Sequence, residues 1–198
     1  MTVQNGLGAE EAFPGRRVLS AVTFMSGTRH EDTPLARVEE IGDLVRRSGL
    51  KAETFADLRP AQWSKLIFNA TVNAVAALTG LPHDEHFARE ETPADLGHLV
   101  HDLIDEGKEV AAAAGIELYE DPWEMNVLAT QRGYAHYPSM LEDVEAHRTT
   151  EIDLITGSLV REAERHGVPV PLHTALLRLV KAKEESWPQP STRQAQEA

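Results

Sequence analysis

WSKLIFNATVNAVAALTG, residues 63–80, is the stretch that decides the fold. Wound as an α-helix, it carries apolar side chains on nearly every face, so we expect the helix to be buried all round. A surface helix would show one apolar face and one polar face instead. Gly80 follows the last apolar residues and is typical of a helix end. The sequence therefore predicts a central helix from about Pro60 to Leu78.

Three polar side chains interrupt this apolar helix. Lys65, Asn69 and Asn73 are spaced at i, i+4 and i+8, which places them along one stripe. A buried ammonium and buried amides need partners. Two interpretations stay open: a structural polar network or water-exposed stripe, and a row of donors that faces a polar ligand in a cleft. In the second, the lysine could bind a carboxylate, act as a general acid or form a Schiff base.

Most of the chain after Pro60 shows the apolar periodicity of amphipathic helices. Thr92 is a typical N-cap, with Pro93 as the first helical residue. Ser139 and Glu142 have the spacing of a capping box. The sequence predicts helices over Leu35–Arg47, Pro60–Leu78, Thr92–Gly115, Pro122–Gln131, Ser139–Gly167 and Leu172–Glu185.

The N-terminal third differs because residues 18–25, VLSAVTFM, read as a strand buried on both faces, followed by a polar linker over 28–34. A single strand cannot satisfy its own backbone groups. The candidate partners are the few residues before Asn5 and those near 50–55, so either another chain supplies the sheet or the segment is repurposed. We expect a homodimer that covers this strand and the apolar central helix.

The composition excludes several classes of protein. With 32 acidic and 19 basic residues the net charge is -13, which repels phosphate backbones, so we expect no nucleic-acid partner. No run of about 18 apolar residues is present, so we expect no membrane partner. The first residues do not resemble a signal peptide. The absence of cysteine excludes disulfides and thiol chemistry and favours a cytoplasmic protein.

A second group of polar residues follows Pro138. Glu151 lies beside the apolar positions of its predicted helix, and Lys65 is the natural partner for a carboxylate placed there. The alternative is a solvated surface glutamate. Ser139 has a structural role as the helix cap. The histidines match no zinc spacing, so we expect no metal and mostly solvated imidazoles, with His136 the one that could contact a ligand.

These segments resemble the C-terminal helical half of the ketopantoate reductase (2-dehydropantoate 2-reductase) family. The matching patterns are W-x-K-L-x-x-N-x-x-x-N over residues 63–73 and P-S-M-L-x-D-x-x-x-x-R-x-T-E-x-D-x-x-x-G over residues 138–157. G-V-P-V-P at residues 167–171 fits too, and T-V-Q-N-G-L-G at residues 2–8 resembles the loop that ends the family's nucleotide-binding domain. The two helical patterns together carry the specificity of the resemblance.

The resemblance implies a mainly α fold, a multi-helix bundle like the C-terminal domain of 6-phosphogluconate dehydrogenase, with a short N-terminal α/β remnant. It divides the chain into residues 1–33, the remnant of a Rossmann-type cofactor domain, residues 34–187, the helical substrate-binding and catalytic domain, and residues 188–198, a disordered tail. The family reduces a 2-keto acid with NADPH, so the implied cofactor is NADP(H) and the implied partner is a small keto substrate.

The resemblance also implies roles for individual residues. Lys65 would be the general acid that protonates the ketone oxygen, which suits a lysine of ordinary pKa because it is charged at neutral pH. Glu151 would hold the substrate hydroxyl and the ammonium in place. Binding roles would fall to Asn69, Asn73, Ser139 and His136 for the substrate and to Asn5 for the nicotinamide end of the cofactor.

The sequence departs from the family in two respects. It has no G-x-G-x-x-G after a strand, the turn that holds a dinucleotide pyrophosphate, so we expect the missing half upstream or on another polypeptide. His83 and His136 stand where ketopantoate reductases carry substrate-binding asparagines, which favours another substrate. Two alternatives to a reductase remain: a non-redox enzyme of isomerase or cyclase type without nicotinamide, and a non-catalytic dimerisation or binding module.

Overall fold

The computed structural model describes residues 2–3, 20–22, 26–28, 35–92, 94–131 and 135–188. This part of the chain holds seven α-helices and three short strands, so the mainly helical fold predicted from the sequence is confirmed. The strands are β1 (Thr2–Val3), β2 (Ser20–Val22) and β3 (Ser26–Thr28). The helices are α1 (Leu35–Arg47), α2 (Arg59–Thr79), α3 (Asp95–Ala113), α4 (Pro122–Thr130), α5 (Ser139–Glu145), α6 (Thr156–His166) and α7 (Pro171–Glu185), with a 3-10 helix, Glu85–Ala88, before α3.

Helix α2 is the centre of the domain, as its apolar sequence predicts. Between Trp63 and Ala77 every side chain except Asn69 is buried, and helices α3 to α7 all pack against it. Gly80 ends the helix in the left-handed conformation, with φ 72°, where its N–H donates to the carbonyl of Ala76. Burial of apolar surface on all sides of α2 is therefore the main contribution that holds the other helices together.

A glycine allows α3 to approach α2 closely. A Cβ atom added at Gly107 would lie 2.6 Å from the Ile67 side chain, well inside van der Waals contact. Ile67 is fully buried, so it has little space into which it could move. Only glycine fits at this crossing, and it fixes how deeply the two helices interlock.

The start of α3 differs from the prediction. The helix begins at Asp95, so Thr92 is not its N-cap, and Pro93 lies outside the described residues. The chain before the helix folds back along its first turn, where a Cβ at Gly97 would collide with the carbonyl of Arg89. The N-cap is Ala94, which makes no side-chain capping bond, so the cap predicted at Thr92 is wrong.

The single helix predicted over residues 139–167 is wrong. The structure has two helices there, α5 and α6, separated by a turn over residues 146–155. The N-cap of α5 is Pro138, whose carbonyl accepts the first N–H groups of the helix, and Ser139 makes no capping bond. The predicted capping box between Ser139 and Glu142 is therefore not formed.

The turn over residues 146–155 leaves the helical path for local reasons. His147 adopts a positive φ of 52°, and the hydroxyl of Thr150 accepts the N–H of Ile152, which a continuous helix would bond to a carbonyl. Ile152 and Ile155 are both buried, so the turn packs on the core. Glu151 consequently lies in a packed turn and not on the face of a helix.

The structure describes residues 20–22 of the predicted N-terminal strand, and this strand has its partners within the chain. Strand β2 pairs in parallel with β1, Thr2 lying opposite Ser20, and antiparallel with β3, Ser20 lying opposite Thr28. The chain returns as β3 directly after β2, because a short connection closes at little entropic cost. The residues near 50–55 form no strand. Since β1 and β3 occupy both edges of β2, the unpaired-strand argument for a second chain is wrong.

Several sequence predictions fall on residues that the structure does not describe. These are the loop over 4–8 with Asn5, the linker residues 29–34 and the tail from 189 to 198. The division into parts at residues 33/34 and 187/188 stays a prediction. Within the described ranges, no helix is both long and apolar enough to cross a membrane.

Candidate active site

Lys65 is a buried cation on the central helix. It is the seventh residue of α2, next to the buried residues Ser64 and Leu66, and only 7% of it is exposed. Burial lowers the pKa of the Lys65 ammonium from its ordinary 10.5 to about 8, and the charge of Glu151 acts in the opposite direction. The expectation of an ordinary lysine pKa is therefore wrong, because the surrounding helices remove water from the charged form.

Glu151 is the carboxylate that acts electrostatically on Lys65, although 86 residues separate them in the sequence. It is half-buried in the turn over residues 146–155, between the buried residues Thr150 and Ile152. A negative charge held close to Lys65 favours the charged form of its ammonium. With a pKa of about 8, about nine in ten Lys65 side chains still carry a proton at pH 7.

The two asparagines continue the stripe along α2, away from Lys65. Asn69 is half-buried and Asn73 is 7% exposed, and most of the residues around them on the helix are apolar. Among the described residues, neither side-chain amide forms a hydrogen bond with another residue. Of the two side chains, Asn73 is buried and Asn69 is not, and a ligand-binding role for either stays a prediction.

Ser139 and His136 lie at the start of α5, and their side chains are exposed. The backbone of His136 forms a two-bond antiparallel bridge with the backbone of His83, with N–O distances of 2.7 and 3.1 Å. This bridge fixes the chain that leads into α5. The structure thus places both residues on one surface segment, and their contact with a substrate stays a prediction.

His83 is a buried histidine, which corrects the expectation that it is solvated. It is 2% exposed, and its Nε2 lies 2.8 Å from Oδ1 of Asn126. The Asn126 amide donates in turn to the carbonyl of Phe87 at 2.9 Å. The imidazole also contacts the rings of Phe68 and Phe87 edge-on. His83 therefore joins α4, the 3-10 helix and the segment before α5.

A cleft of about 220 Å³ opens beside Lys65. Its wall is built from the connection between α1 and α2, the start of α2 and the turn before α4; the polar lining residues are Lys51, Glu53, Ser64, Lys65, Tyr119 and Glu120. Tyr119 donates to Glu53 at 2.6 Å, and the hydroxyl of Ser64 accepts the N–H of Glu120 at 3.1 Å. Asn69, Asn73 and Glu151 do not line this cleft.

Apart from Lys65, the polar residues of this cleft were not predicted from the sequence. One weak indication of them is present in the sequence. Tyr119 and Glu53 are 66 residues apart, and both lie in connections without helical periodicity. The pair Phe55 and Tyr119, whose rings meet edge-on at 5.0 Å, marks where the two connections touch. Aromatic residues in otherwise polar connections were the available hint.

No metal centre is found in the described parts of the chain: no three His, Asp or Glu side chains lie close enough together to bind an ion. His86 pairs with Asp84 at 2.8 Å, and His101 lies edge-on to Trp123 at 4.7 Å. Asn5, which the resemblance assigns to the cofactor, lies outside the described residues.

The main chemical feature of this helical domain is a buried lysine on the central helix. The carboxylate that acts on it comes from a turn between two other helices. The family model described as "Ketopantoate reductase PanE/ApbA C terminal" matches residues 57–184. The chain therefore belongs to the ketopantoate reductase family, as its motifs predict. The matched span contains Lys65, Asn69, Asn73 and Glu151.

Curated relatives carry the name 2-dehydropantoate 2-reductase. The protein of Streptococcus pyogenes serotype M6 is 31% identical over 173 residues, which are 86% of this chain and 55% of that protein. The protein of Pyrobaculum aerophilum is 29% identical over 196 residues, 93% of this chain and 69% of the relative. The chain spans about half the length of the first of these relatives.

Solved structures confirm the fold. D-mandelate dehydrogenase in complex with NADH and anilino(oxo)acetate superposes with a TM-score of 0.78 at 26% identity, covering 92% of this chain and 81% of that one. The PanE/ApbA family ketopantoate reductase from Ralstonia eutropha JMP134 gives a TM-score of 0.77 at 26% identity, and the match covers 93% of this chain and 66% of the other.

Proposed function

We propose that this chain is a ketopantoate-reductase-like oxidoreductase component that reduces a 2-keto acid or related ketone with a nicotinamide cofactor, with Lys65 as the general acid. The observation that carries the proposal is the buried Lys65 ammonium opposed by Glu151 within the family segment. A related fold is known with NADH and an oxoacetate bound, in D-mandelate dehydrogenase. NADP(H) is the cofactor that family membership favours.

The described residues fit the ketone end of this reaction. When bound, the nicotinamide supplies a hydride to the carbonyl carbon. Lys65 donates a proton from Nζ to the carbonyl oxygen, which becomes the hydroxyl of a 2-hydroxy acid. A pKa of about 8 makes Lys65 a better proton donor at neutral pH than an ordinary lysine, while most of it stays protonated.

The other site residues have positioning roles in this proposal. Glu151 keeps the ammonium charged and accepts the hydrogen bond of the product hydroxyl. The amides of Asn69 and Asn73, on the same stripe of α2, orient the polar groups of the substrate. Ser139 and His136 contact the substrate from the start of α5, and Asn5 lies near the nicotinamide. Holding the reacting groups in place is worth several powers of ten in rate.

The turnover test compares Lys65→Ala with a matched lysine. We expect Lys65→Ala to slow reduction of 2-keto acids by roughly 100-fold or more, because the developing alkoxide loses its proton donor. Lys108, a half-buried lysine of α3 whose Nζ pairs with Asp121, supplies the control. NADPH oxidation is followed by absorbance with a panel of 2-keto acids. Equal activity of Lys65→Ala and Lys108→Ala would contradict the proposal.

A non-redox enzyme is the second candidate, and one observation favours it. The Lys65–Glu151 pair lies wholly within the described helical part, so its chemistry needs no residue of a cofactor domain. The pair would then move a proton in an isomerisation or cyclisation. Titration of NADPH into the purified chain separates the candidates, since binding favours the reductase. Full biological function of the double variant Lys65→Ala/Glu151→Ala would instead favour a non-catalytic module.

We also propose a homodimer. A related structure is described as a dimeric ketopantoate reductase from Staphylococcus aureus, with a TM-score of 0.73 at 25% identity. Leu128 on α4 and Leu179 on α7 are 67% and 55% exposed, which leaves apolar surface for a partner. Light scattering after size exclusion should give about twice the chain mass of 21.8 kDa. A single species at the chain mass would contradict the dimer.

A further inference from the structure

The turn that carries Glu151 is joined to the end of α7 by three contacts at regular spacing. The His147 ring stacks on Trp187, with 5.5 Å between centroids and 18° between planes. The Thr150 N–H donates to Oε1 of Glu184 at 2.7 Å. Lys181 bonds both carboxylate oxygens of Asp153, at 2.8 and 2.7 Å. The contacting residues are therefore spaced three apart in the turn and three apart along α7 and the residues after it, and the two segments run in opposite directions.

The middle contact, between Thr150 and Glu184, is better shielded from water than the contact between Lys181 and Asp153. Lys181 and Asp153 are largely exposed, so water and salt weaken their attraction. Thr150 is 9% exposed, and its N–H has a carboxylate as acceptor, which makes a short charge-assisted hydrogen bond. Removing Glu184 would leave this N–H in the interior without that partner.

Glu184 occupies a place where an acidic residue is otherwise unfavourable. It lies in the last turn of α7, at the negative end of the helix dipole. Its neighbour Lys183 donates to the carbonyl of Ala77, near the end of α2. The end of α7 thus contacts both α2, which carries Lys65, and the turn, which carries Glu151.

Thr150 immediately precedes Glu151, so a bond that fixes the backbone of one fixes the backbone of the other. Within the turn, the Glu151 carbonyl accepts the N–H groups of Leu154 and Ile155, at 3.0 and 2.9 Å. These bonds hold the part of the turn after Glu151, and Glu184 holds the part before it. The orientation of the carboxylate toward Lys65 therefore depends on Glu184.

We propose that Glu184 is a positioning residue of the candidate active site: by binding the Thr150 N–H, it holds the Glu151 carboxylate against the Lys65 ammonium. The catalytic consequence rests on the function proposed above, whereas the effect on Lys65 itself does not. Glu184 contacts neither substrate nor Lys65 in this proposal and acts through the turn alone.

The test is the rate at which Lys65 reacts with an amine acylating reagent, measured by peptide mass spectrometry across a pH series in the full chain. Glu151 keeps the pKa of Lys65 up, so its displacement lowers that pKa and increases the neutral, reactive amine. We expect Glu184→Ala to accelerate labelling of Lys65 at neutral pH by about threefold or more. Glu185→Ala, which removes an exposed carboxylate one residue further on, is the matched control and should change nothing.

Two further variants distinguish the positioning of Glu151 by Glu184 from a general loss of stability and from a long-range effect of the Glu184 charge. Glu184→Gln keeps an acceptor for the Thr150 N–H, so its Lys65 should react as in the wild type. In a Glu151→Gln background, Glu184→Ala should add no further acceleration, because the group it positions is gone. Melting curves establish that each variant is folded, and Glu184→Leu, which also lacks an acceptor for the Thr150 N–H, replaces Glu184→Ala if that variant does not fold.

Three results would overturn the proposal. These are unchanged labelling in a folded Glu184→Ala, equal acceleration in Glu185→Ala, or acceleration in a folded Glu184→Gln equal to that in Glu184→Ala. The function can fail separately: if labelling behaves as expected but no 2-keto acid is reduced, Glu184 positions Glu151 while the proposed reaction is wrong. If the reaction proceeds, Glu184→Ala should lower kcat more than it raises KM.

Discussion

The buried charge of Lys65 lowers the free energy of unfolding of the protein. The side chain is 7% exposed, and its ammonium is only partly compensated by Glu151, because the net shift of its pKa is downward. Between the folded value of about 8 and the ordinary 10.5, the unfolded chain binds more protons than the folded chain. The free energy of unfolding should therefore rise as the pH increases from about 8 to about 10.5.

The first stability prediction concerns Lys65→Met. Methionine keeps the length of the side chain and removes the buried charge, so we expect the free energy of unfolding at pH 7 to increase by about 1–3 kcal/mol. The rise in stability of the wild type above pH 8 should disappear in this variant. Urea denaturation at several pH values measures both effects, and a variant less stable than the wild type at pH 7 would count against the account.

At the residue scale, the sequence predicts the site better than it predicts the properties of the site. The i, i+4, i+8 spacing on an apolar helix predicts the buried stripe, and the motif pairs Lys65 with Glu151. The lowered pKa is not predictable in this way, because it depends on how five other helices exclude water. The burial of His83 is not predicted for a similar reason: the partner of its imidazole, Asn126, lies 43 residues away in the sequence.

At the scale of the element, helices with strong local signals are predicted to within a residue or two. The ends of α2 and α7 follow from Pro60, Gly80 and Pro171, whose effects are local. The break between α5 and α6 is not predicted, because the apolar spacing continues through Ile152 and Ile155. The tertiary contact of the turn with α7, such as Thr150 with Glu184, overrides that periodicity.

A glycine substitution tests the packing of α2 on α3. A methyl group at Gly107 would meet Ile67 at 2.6 Å, so we expect Gly107→Ala to lower the free energy of unfolding by about 1–3 kcal/mol, despite the better helix propensity of alanine. Shortening the facing side chain in Ile67→Ala/Gly107→Ala should recover part of the loss relative to the sum of the single changes. Additive effects in chemical denaturation would show that the two residues do not meet.

At the scale of the whole molecule, the described chain is a helical domain around α2 with a small sheet before it. The family pattern predicts this architecture. The residues before Asn5, one of the partners proposed for the strand in residues 18–25, do pair with it as β1, whereas the pairing with β3 is not predicted. The end of α7 then connects the two sequence motifs of the family, through Lys183 to α2 and through Glu184 to the turn with Glu151. The site thus depends on a helix that contributes no motif residue to it.

Direct titration of Lys65 by lysine side-chain NMR, with the signal assigned through Lys65→Met, tests the central claim that this lysine is a buried cation paired with Glu151. The account predicts a midpoint of about 8 in the wild type and a lower midpoint in Glu151→Gln, because the opposing carboxylate charge is removed. A wild-type midpoint near the ordinary 10.5, or an unchanged midpoint in Glu151→Gln, would contradict it.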